Sequence, residues 1–345
     1  MSGPPGSAAP LLDEDVSPLP ADGRRVQLLA LSGGGFRGLF TARLLERLEA
    51  DGRAMRDRFE LIAGTSIGSI IAGGLALGVP ASTVREAMER EGPVVFPPRG
   101  AARRLWRQAS SVFRAPYDTG TLERVIDGVL GERRDIGLRD IPAALLIPCV
   151  SHTRADVRVF RSAGLAGQDA DDLSLKEAML ASGAAPTFFP PRTHGTETFV
   201  DGAIVANAPD ALALGEATSR LHVPLERIHT LSLGTAASAR ERPPARYGRP
   251  GKLTWIARSL LEVTMAAQER LTIAQCTAIQ GDRYLRLDRK PSAGQDRAIA
   301  LDRADPRAIR TLLDLADACH EEVTGGADRE RLRGFLRHAC EGARR

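Results

Sequence analysis

Phe59-Glu60-Leu61-Ile62-Ala63-Gly64-Thr65-Ser66-Ile67-Gly68-Ser69-Ile70-Ile71-Ala72-Gly73-Gly74-Leu75 reads as a short apolar strand, a sharp turn carrying one serine, and a helix of small residues. Gly64-x-Ser66-x-Gly68 within it fits a nucleophile elbow, in which the serine sits on a strained strand-to-helix turn with its hydroxyl exposed. A tight turn and close helix–strand packing leave no room for a Cβ at Gly64 or Gly68. Ser66 then stands at a helix N-terminus, where the partial positive charge favours a developing anion. No charged residue falls between Leu61 and Val84, and Gly64-x-x-x-Gly68 lies inside. A membrane span with a dimerisation face is therefore a rival reading. The glycines, serines and proline dilute that apolarity, and a buried parallel strand with a buried helix accounts equally well for the missing charge.

Upstream, Val26–Leu31 is a buried strand that runs into Ser32-Gly33-Gly34-Gly35-Phe36-Arg37-Gly38 and a helix from about Leu39 to Ala50. Strand, glycine loop and helix together make an anion cradle, because successive backbone N–H groups point into one concavity. Gly33-x-Gly35-x-x-Gly38 satisfies the dinucleotide fingerprint literally, which points to a non-catalytic Rossmann-type nucleotide-binding module. That reading needs a carboxylate at the end of the second strand, and Ala63-Gly64-Thr65-Ser66 offers none. The competing reading is an oxyanion hole, with glycine N–H groups facing the serine across neighbouring strands. One such donor is worth roughly 10²–10³ in rate.

Downstream, Pro93–Pro116 holds Arg99, Arg103, Arg104, Arg107 and Arg114 interleaved with Phe96, Leu105, Trp106 and Phe113. A basic amphipathic segment of this kind can lie on an anionic bilayer or close over a site; Arg103, Arg104, Trp106 and Arg107 are its candidate contacts with a membrane or with the phosphates of a nucleotide. Helices are predicted over Thr121–Val129 and Leu175–Ser182, and strands over Ile141–Val150 and Val157–Phe160. Small residues, prolines and two phenylalanines from Ser182 to Pro191 predict a close-packed apolar wall. Thr198-Phe199-Val200-Asp201-Gly202-Ala203 reads as a strand whose end presents an aspartate, a plausible base for a serine, although a turn-forming Asp-Gly is common. Asn207 and Pro209 open a helix to about Arg220, and Ile228–Thr235 is a further strand. A Pro/Arg/Gly-rich linker spans Arg240–Gly251. A long helix follows from Trp255 to Gln280, then a strand over Arg283–Leu287 and closing helices over Pro306–Val323 and Asp328–Ala343, which form a final layer or an oligomer contact.

The chain of 345 residues is long enough for one large α/β domain, and its net charge of +4 with a pI near 9.1 suits an anionic surface or ligand. Cys149, Cys276, Cys319 and Cys340 show no metal spacing, which fits reduced thiols in a cytosolic protein, and no metal is expected. Residues 1–23, rich in Pro, Gly and acidic residues, read as a disordered leader without signal architecture.

The glycine loop, the elbow and Asp201-Gly202-Ala203, in this order, resemble the patatin-like phospholipases over about residues 26–290. The Ala184–Phe189 stretch, the Asn207 and Pro209 context and Leu231-Ser232-Leu233-Gly234-Thr235 belong to the same resemblance. One departure is Ser32, where the family usually carries Asp or Asn. The resemblance implies a three-layer α/β/α sandwich around a central, mostly parallel sheet over residues 24–290, with residues 291–345 as a C-terminal helical cap. It implies Ser66 as nucleophile and Asp201 as base of a Ser–Asp dyad, Gly34 and Gly35 as oxyanion donors, and Gly33, Arg37, Gly38, Gly64, Gly68 and Gly202 as supports. His222, His229, His320 and His338 are then left without a catalytic part. The implied activity is phospholipase A-type acyl hydrolysis without a cofactor. Within the family the sequence looks most like bacterial effectors of CBASS antiphage defence, which a cyclic dinucleotide switches on to degrade the inner membrane. Phospholipid substrate, a cyclic dinucleotide activator, homo-oligomerisation and action at the inner face of the cell membrane follow from that likeness, and no DNA or RNA partner does. A constitutive acyl hydrolase is the nearer alternative.

Overall fold

The computed structural model describes residues 24–97, 117–237 and 260–340. The leader, the basic segment with Arg103, Arg104, Trp106 and Arg107, and the linker after Ser238 lie outside the described residues.

Val26–Leu31 forms strand β1 as its largely apolar run predicts, with Gln27 its one polar residue, and the elbow strand follows as β2, Leu61–Gly64. The remaining strands are β3 (Ala144–Ser151), β4 (Asp156–Arg161), β5 (Arg192–His194), β6 (Glu197–Asp201), β7 (Ile228–Leu233) and β8 (Tyr284–Leu287). They form one mixed sheet in the order β5-β6-β3-β2-β1-β7-β8, with β4 also against β3. The centre from β3 to β8 is parallel, and only β4, β5 and β6 add antiparallel pairings.

The main helices are α1 (Gly38–Leu48), α2 (Ile67–Ala76), α3 (Ala81–Val95), α4 (Thr119–Leu130), α5 (Leu175–Ser182), α6 (Asp210–Ser219), α7 (Leu260–Gln280), α8 (Pro306–Gly325) and α9 (Arg329–Arg337). Successive side chains of a strand face opposite sides, and the sheet uses both. Leu29, Leu31, Ile62, Leu145 and Ile147 join one core with α1 to α5 and α8. Val26, Leu28, Leu61, Ala63 and Leu146 join a second core with Ala213, Leu214 and Ala217 of α6. Two apolar layers on one buried sheet make the α/β sandwich expected of strands without polar alternation.

The pairing of β3 decides where the catalytic candidates meet. β4 occupies one edge of β3 from Leu146 to Ser151. On the other edge β2 pairs in parallel as far as Leu146, and β6 pairs antiparallel from Ser151 back to Cys149. The ends of β2 and β6 therefore approach each other head-on along the same edge. Ser66 follows the first and Asp201 ends the second.

Several expectations change. The charge-free segment from Leu61 to Val84 is β2, α2 and the start of α3, and no helix among the described residues is long and apolar enough to cross a membrane. Helix α3 has no counterpart in the sequence reading, which opened a basic segment at Pro93. Pro93 instead lies in the last turn of α3, where a missing N–H costs a single helical bond. The strand expected from Ile141 starts at Ala144, because Ile141 turns to accept the Gly164 N–H. The last helix stops at Arg337 rather than near Ala343. His338 turns extended and pairs through Nε2 with Glu60 Oε1 at 2.7 Å, and the Cys340 N–H donates to Asp57 O.

Candidate active site

Ser66 adopts φ 55° and ψ −123°, a conformation that a non-glycine residue takes only where its surroundings enforce it. Such a residue costs on the order of 1–3 kcal/mol. A Cβ at Gly64 would collide with the Gly68 carbonyl, and one at Gly68 with the Leu31 carbonyl, so Gly64 is dictated by the turn and Gly68 by the close approach of α2 to β1. Three side chains pin it further. The Ser66 N–H donates to Ser182 Oγ (2.9 Å), which itself donates to Pro148 O (2.7 Å). Ser69 Oγ donates to Ser66 O (2.6 Å), and Thr65 Oγ1 to Ala206 O (2.6 Å).

The Ser66 hydroxyl donates to Asp201 Oδ2 at 2.7 Å, across 135 residues of sequence. The other carboxylate oxygen accepts the Ala203 N–H (2.7 Å), which fixes the carboxylate plane. Asp201 is 3% exposed. Burial pushes its pKa up to about 7, against the opposing effects of the Ala203 and Ser66 hydrogen bonds. An aspartate poised near neutrality is suited to taking and returning a proton at physiological pH.

The glycine loop closes the third side. Its carbonyls are turned back into the protein: Gly34 O accepts the Arg37 N–H (3.2 Å) and a long bond from Arg37 Nε (3.4 Å), while Thr235 Oγ1 makes a similarly long bond to Gly33 O (3.4 Å). The Gly33 N–H donates to Asn207 O and the Phe36 N–H to Leu301 O, both at 2.8 Å. The Gly34 and Gly35 amides donate to no described acceptor, and both residues line the same cavity as Ser66 and Asp201. Gly35 has φ +56°, and a Cβ there would strike the Leu301 carbonyl. Gly38 packs directly on Ile67, and Gly202 on the Pro148 carbonyl, so both are spacing residues.

That cavity opens to the surface at one side and is walled by Phe36, Ile70, Met88, Val95, Phe96, Leu122, Val125, Phe188, Phe189 and Met265 among others. Among the described residues, Ser66 and Asp201 supply its only hydroxyl and carboxylate. The apolar wall expected around Phe188 and Phe189 is thus the wall of this cavity.

Histidines are elsewhere. His229 pairs with Gln27 at the start of β1, four residues and about 13 Å along the strand from the end nearest the elbow. His338 is at that same far end with Glu60, and His320 is in α8. No histidine lines the cavity.

Sequence reasoning missed Ser182, Asn207 as a bonding partner of the glycine loop, and Arg286. Arg286 Nη1 donates to Ser32 Oγ (2.9 Å), at the position where a carboxylate or amide is usual. A lone serine near the end of a helix gives no local signal of such a bond.

Residues 29–214 match the Patatin family model, that of the patatin-like phospholipases. The chain belongs to this family. It is 31% identical over 307 residues to a cGAMP-activated phospholipase of Pseudomonas aeruginosa, covering 86% of this chain and 89% of that one. A cGAMP-activated phospholipase of Vibrio cholerae is 31% identical over 269 residues, covering 72% and 75%. The structure of VipD from Legionella pneumophila aligns with TM-score 0.42 and 12% identity over 86% of this chain and 67% of that one. As a patatin-like phospholipase the chain is a serine ester hydrolase.

Proposed function

We propose that the protein cleaves the carboxylic ester of a membrane phospholipid with Ser66 as nucleophile and Asp201 as its base, and that a cyclic dinucleotide switches it on. The observation that carries the reading is the 2.7 Å Ser66–Asp201 hydrogen bond inside an apolar cavity edged by two glycine amides that bond no described acceptor.

Asp201 accepts the Ser66 proton as Oγ attacks the ester carbonyl, and the oxyanion falls to the Gly34 and Gly35 N–H groups. The proton held on Asp201 then passes to the departing alkoxide, which leaves as lysophospholipid with an acyl-Ser66 behind it. Water, deprotonated by Asp201, attacks the acyl group; the proton returns to Ser66 and the fatty acid departs. The Arg37 backbone N–H and side chain hold the Gly34 carbonyl away from the cavity, and Gly33 is tied to Asn207. Activation by a cyclic dinucleotide extends to this chain from its likeness to the cGAMP-activated phospholipases, and action at the inner membrane face and a part in antiphage defence follow from the resemblance to the bacterial patatin-like effectors.

The test is phospholipid hydrolysis by wild type and Ser66→Ala, with and without a panel of cyclic di- and trinucleotides. Near-silence until one nucleotide is added, and silence of Ser66→Ala throughout, is the expected pattern. Full activity without nucleotide, and no nucleotide binding, reduces the protein to a constitutive acyl hydrolase. A dyad also predicts that His229→Ala keeps turnover within about twofold of wild type, since no general-base contribution of 10²–10⁴ is lost. Loss of turnover comparable to that of an Asp201 variant would refute the assignment of the base.

The pH dependence follows from the sign of the Asp201 shift. The base works as the carboxylate, and burial raises its pKa to about 7. Turnover should climb tenfold per pH unit below that value and level off above it, in a kcat/KM profile on a soluble ester. A rate flat from pH 5 to pH 8 would show that Asp201 titrates elsewhere.

A further inference from the structure

The glycine loop is tied to α7 by a chain of hydrogen bonds with Glu269 at its centre. One Glu269 oxygen accepts from Asn207 Nδ2 (2.8 Å) and the other from Arg286 Nη2 (2.8 Å). The next residue back, Gln268, accepts the Asn207 N–H through Oε1 (2.9 Å). Asn207 in turn accepts the Gly33 N–H on its backbone carbonyl (2.8 Å). Arg286 reaches the same loop from the other side, donating to Ser32 Oγ (2.9 Å), to Ser232 Oγ (2.8 Å) and to Asp288 Oδ2 (3.1 Å). The two side chains of the ion pair are only 12% and 10% exposed. Met265, one helical turn before Glu269 and so on the same face of α7, lines the acyl cavity.

We propose that Glu269 is a positioning residue for the oxyanion loop, holding Asn207 and Arg286, and through them the backbone from Ser32 to Gly35, to the helix whose Met265 forms part of the cavity wall. The proposal rests on the oxyanion role given to Gly34 and Gly35 above. A buried ion pair with each partner further hydrogen-bonded fixes one geometry better than it adds stability, and geometry is what this loop needs. A displacement of about 1 Å at a reacting centre can cost about 10²-fold in rate. The arrangement also makes loop and cavity one mechanical unit: whatever shifts α7, an acyl chain against Met265 included, shifts the amides that receive the oxyanion.

Glu269→Gln keeps the size and one acceptor but removes the charge opposite Arg286. Hydrolysis of p-nitrophenyl butyrate, with cGAMP added, should show kcat lowered about 10–100-fold and KM held within about twofold. Rates are expressed per active site, counted by end-point labelling of Ser66 with a fluorophosphonate, so that a variant that merely folds less well keeps its kcat per labelled serine. Asn207→Ala should give a similar loss, and Asn207→Ala/Glu269→Gln no more than the larger single loss, because both break one chain. If Glu269→Gln does not fold, Asn207→Ala reads the same link from its other end. An unchanged kcat per labelled site in whichever of the two folds, beside an inactive Ser66→Ala, overturns the relay alone. Hydrolysis that survives in Ser66→Ala overturns the catalytic reading beneath it.

Discussion

Asp201→Asn should lower acyl-ester turnover by about 10⁴-fold, the upper range for a general base, while making the folded protein more stable at neutral and alkaline pH. The two effects share one cause. Asparagine replaces the carboxylate almost atom for atom: its oxygen can accept the Ala203 N–H and its amide can donate to Ser66 Oγ, so the elbow stays satisfied. It can accept no proton, and the hydroxyl stays a poor nucleophile. On the stability side, burial holds the Asp201 pKa near 7, above its value in the unfolded chain of roughly 3.9. Between those two values the native carboxyl keeps its proton while the unfolded one has lost it, so wild-type stability falls as pH rises from about 4 to about 7 and is flat beyond. The variant has no such loss. Thermal unfolding should therefore give similar Tm values for both proteins at pH 4, and a Tm advantage for Asp201→Asn at pH 8 worth a few kcal/mol. Equal Tm values at pH 8 would mean that Asp201 is not strained by its charge, and the same carboxylate would then be too weak a base near neutrality.

The serine elbow and the glycine loop could be read in the sequence because their geometry is enforced by nearby residues. Gly64 is needed by the immediate turn, Gly68 by the close approach of α2 to β1, Gly35 by its positive φ, and β1 and β2 are apolar runs, broken only by Gln27, that suit a buried parallel sheet. The meeting of Ser66 with Asp201 was legible as a consequence of family order, whereas its structural cause lies in the register of β3, which shares one edge between β2 and β6. Register depends on partners far away in sequence and leaves no mark in either strand. The same holds for Ser182, Asn207, Glu269 and Arg286. Each is a polar residue in an ordinary helix, turn or strand, and each acquires its part only when another segment arrives to accept or donate a bond. Helix α3 was illegible for a different reason. Gly92-Pro93 has the look of a break, but Gly92 packs against Phe36 where no side chain fits, and Pro93 comes too late to interrupt more than the final turn. The glycine loop was legible as an anion cradle, and its Gly34 and Gly35 residues line the same cavity as Ser66.

Acyl-chain selectivity should be the second large effect, and it should be removable at one position. The cavity offers Ser66 an apolar trough between α2, α3 and α4, with Ile70, Met88, Leu122 and Val125 in its wall. Each methylene moved from water into such a surface contributes about 0.8 kcal/mol, close to fourfold in kcat/KM. Wild-type kcat/KM on soluble esters should therefore rise by about that factor per added methylene until the trough is full. Val125→Trp places a large ring in the trough. Excluding about six methylenes would cost about 5 kcal/mol, so long-chain esters should lose about 10³-fold in kcat/KM, while p-nitrophenyl butyrate, which needs only the space next to Ser66, should change little. Overpacking itself costs typically 1–3 kcal/mol of stability, so Tm is measured alongside. Equal losses on butyrate and long-chain esters at an intact Ser66–Asp201 pair would show that the trough does not receive the acyl chain. A selective loss fixes the path of the substrate: ester carbonyl at the Gly34 and Gly35 amides, acyl chain inward past Ile70 and Val125, and headgroup outward at the mouth, where a bilayer surface presents it.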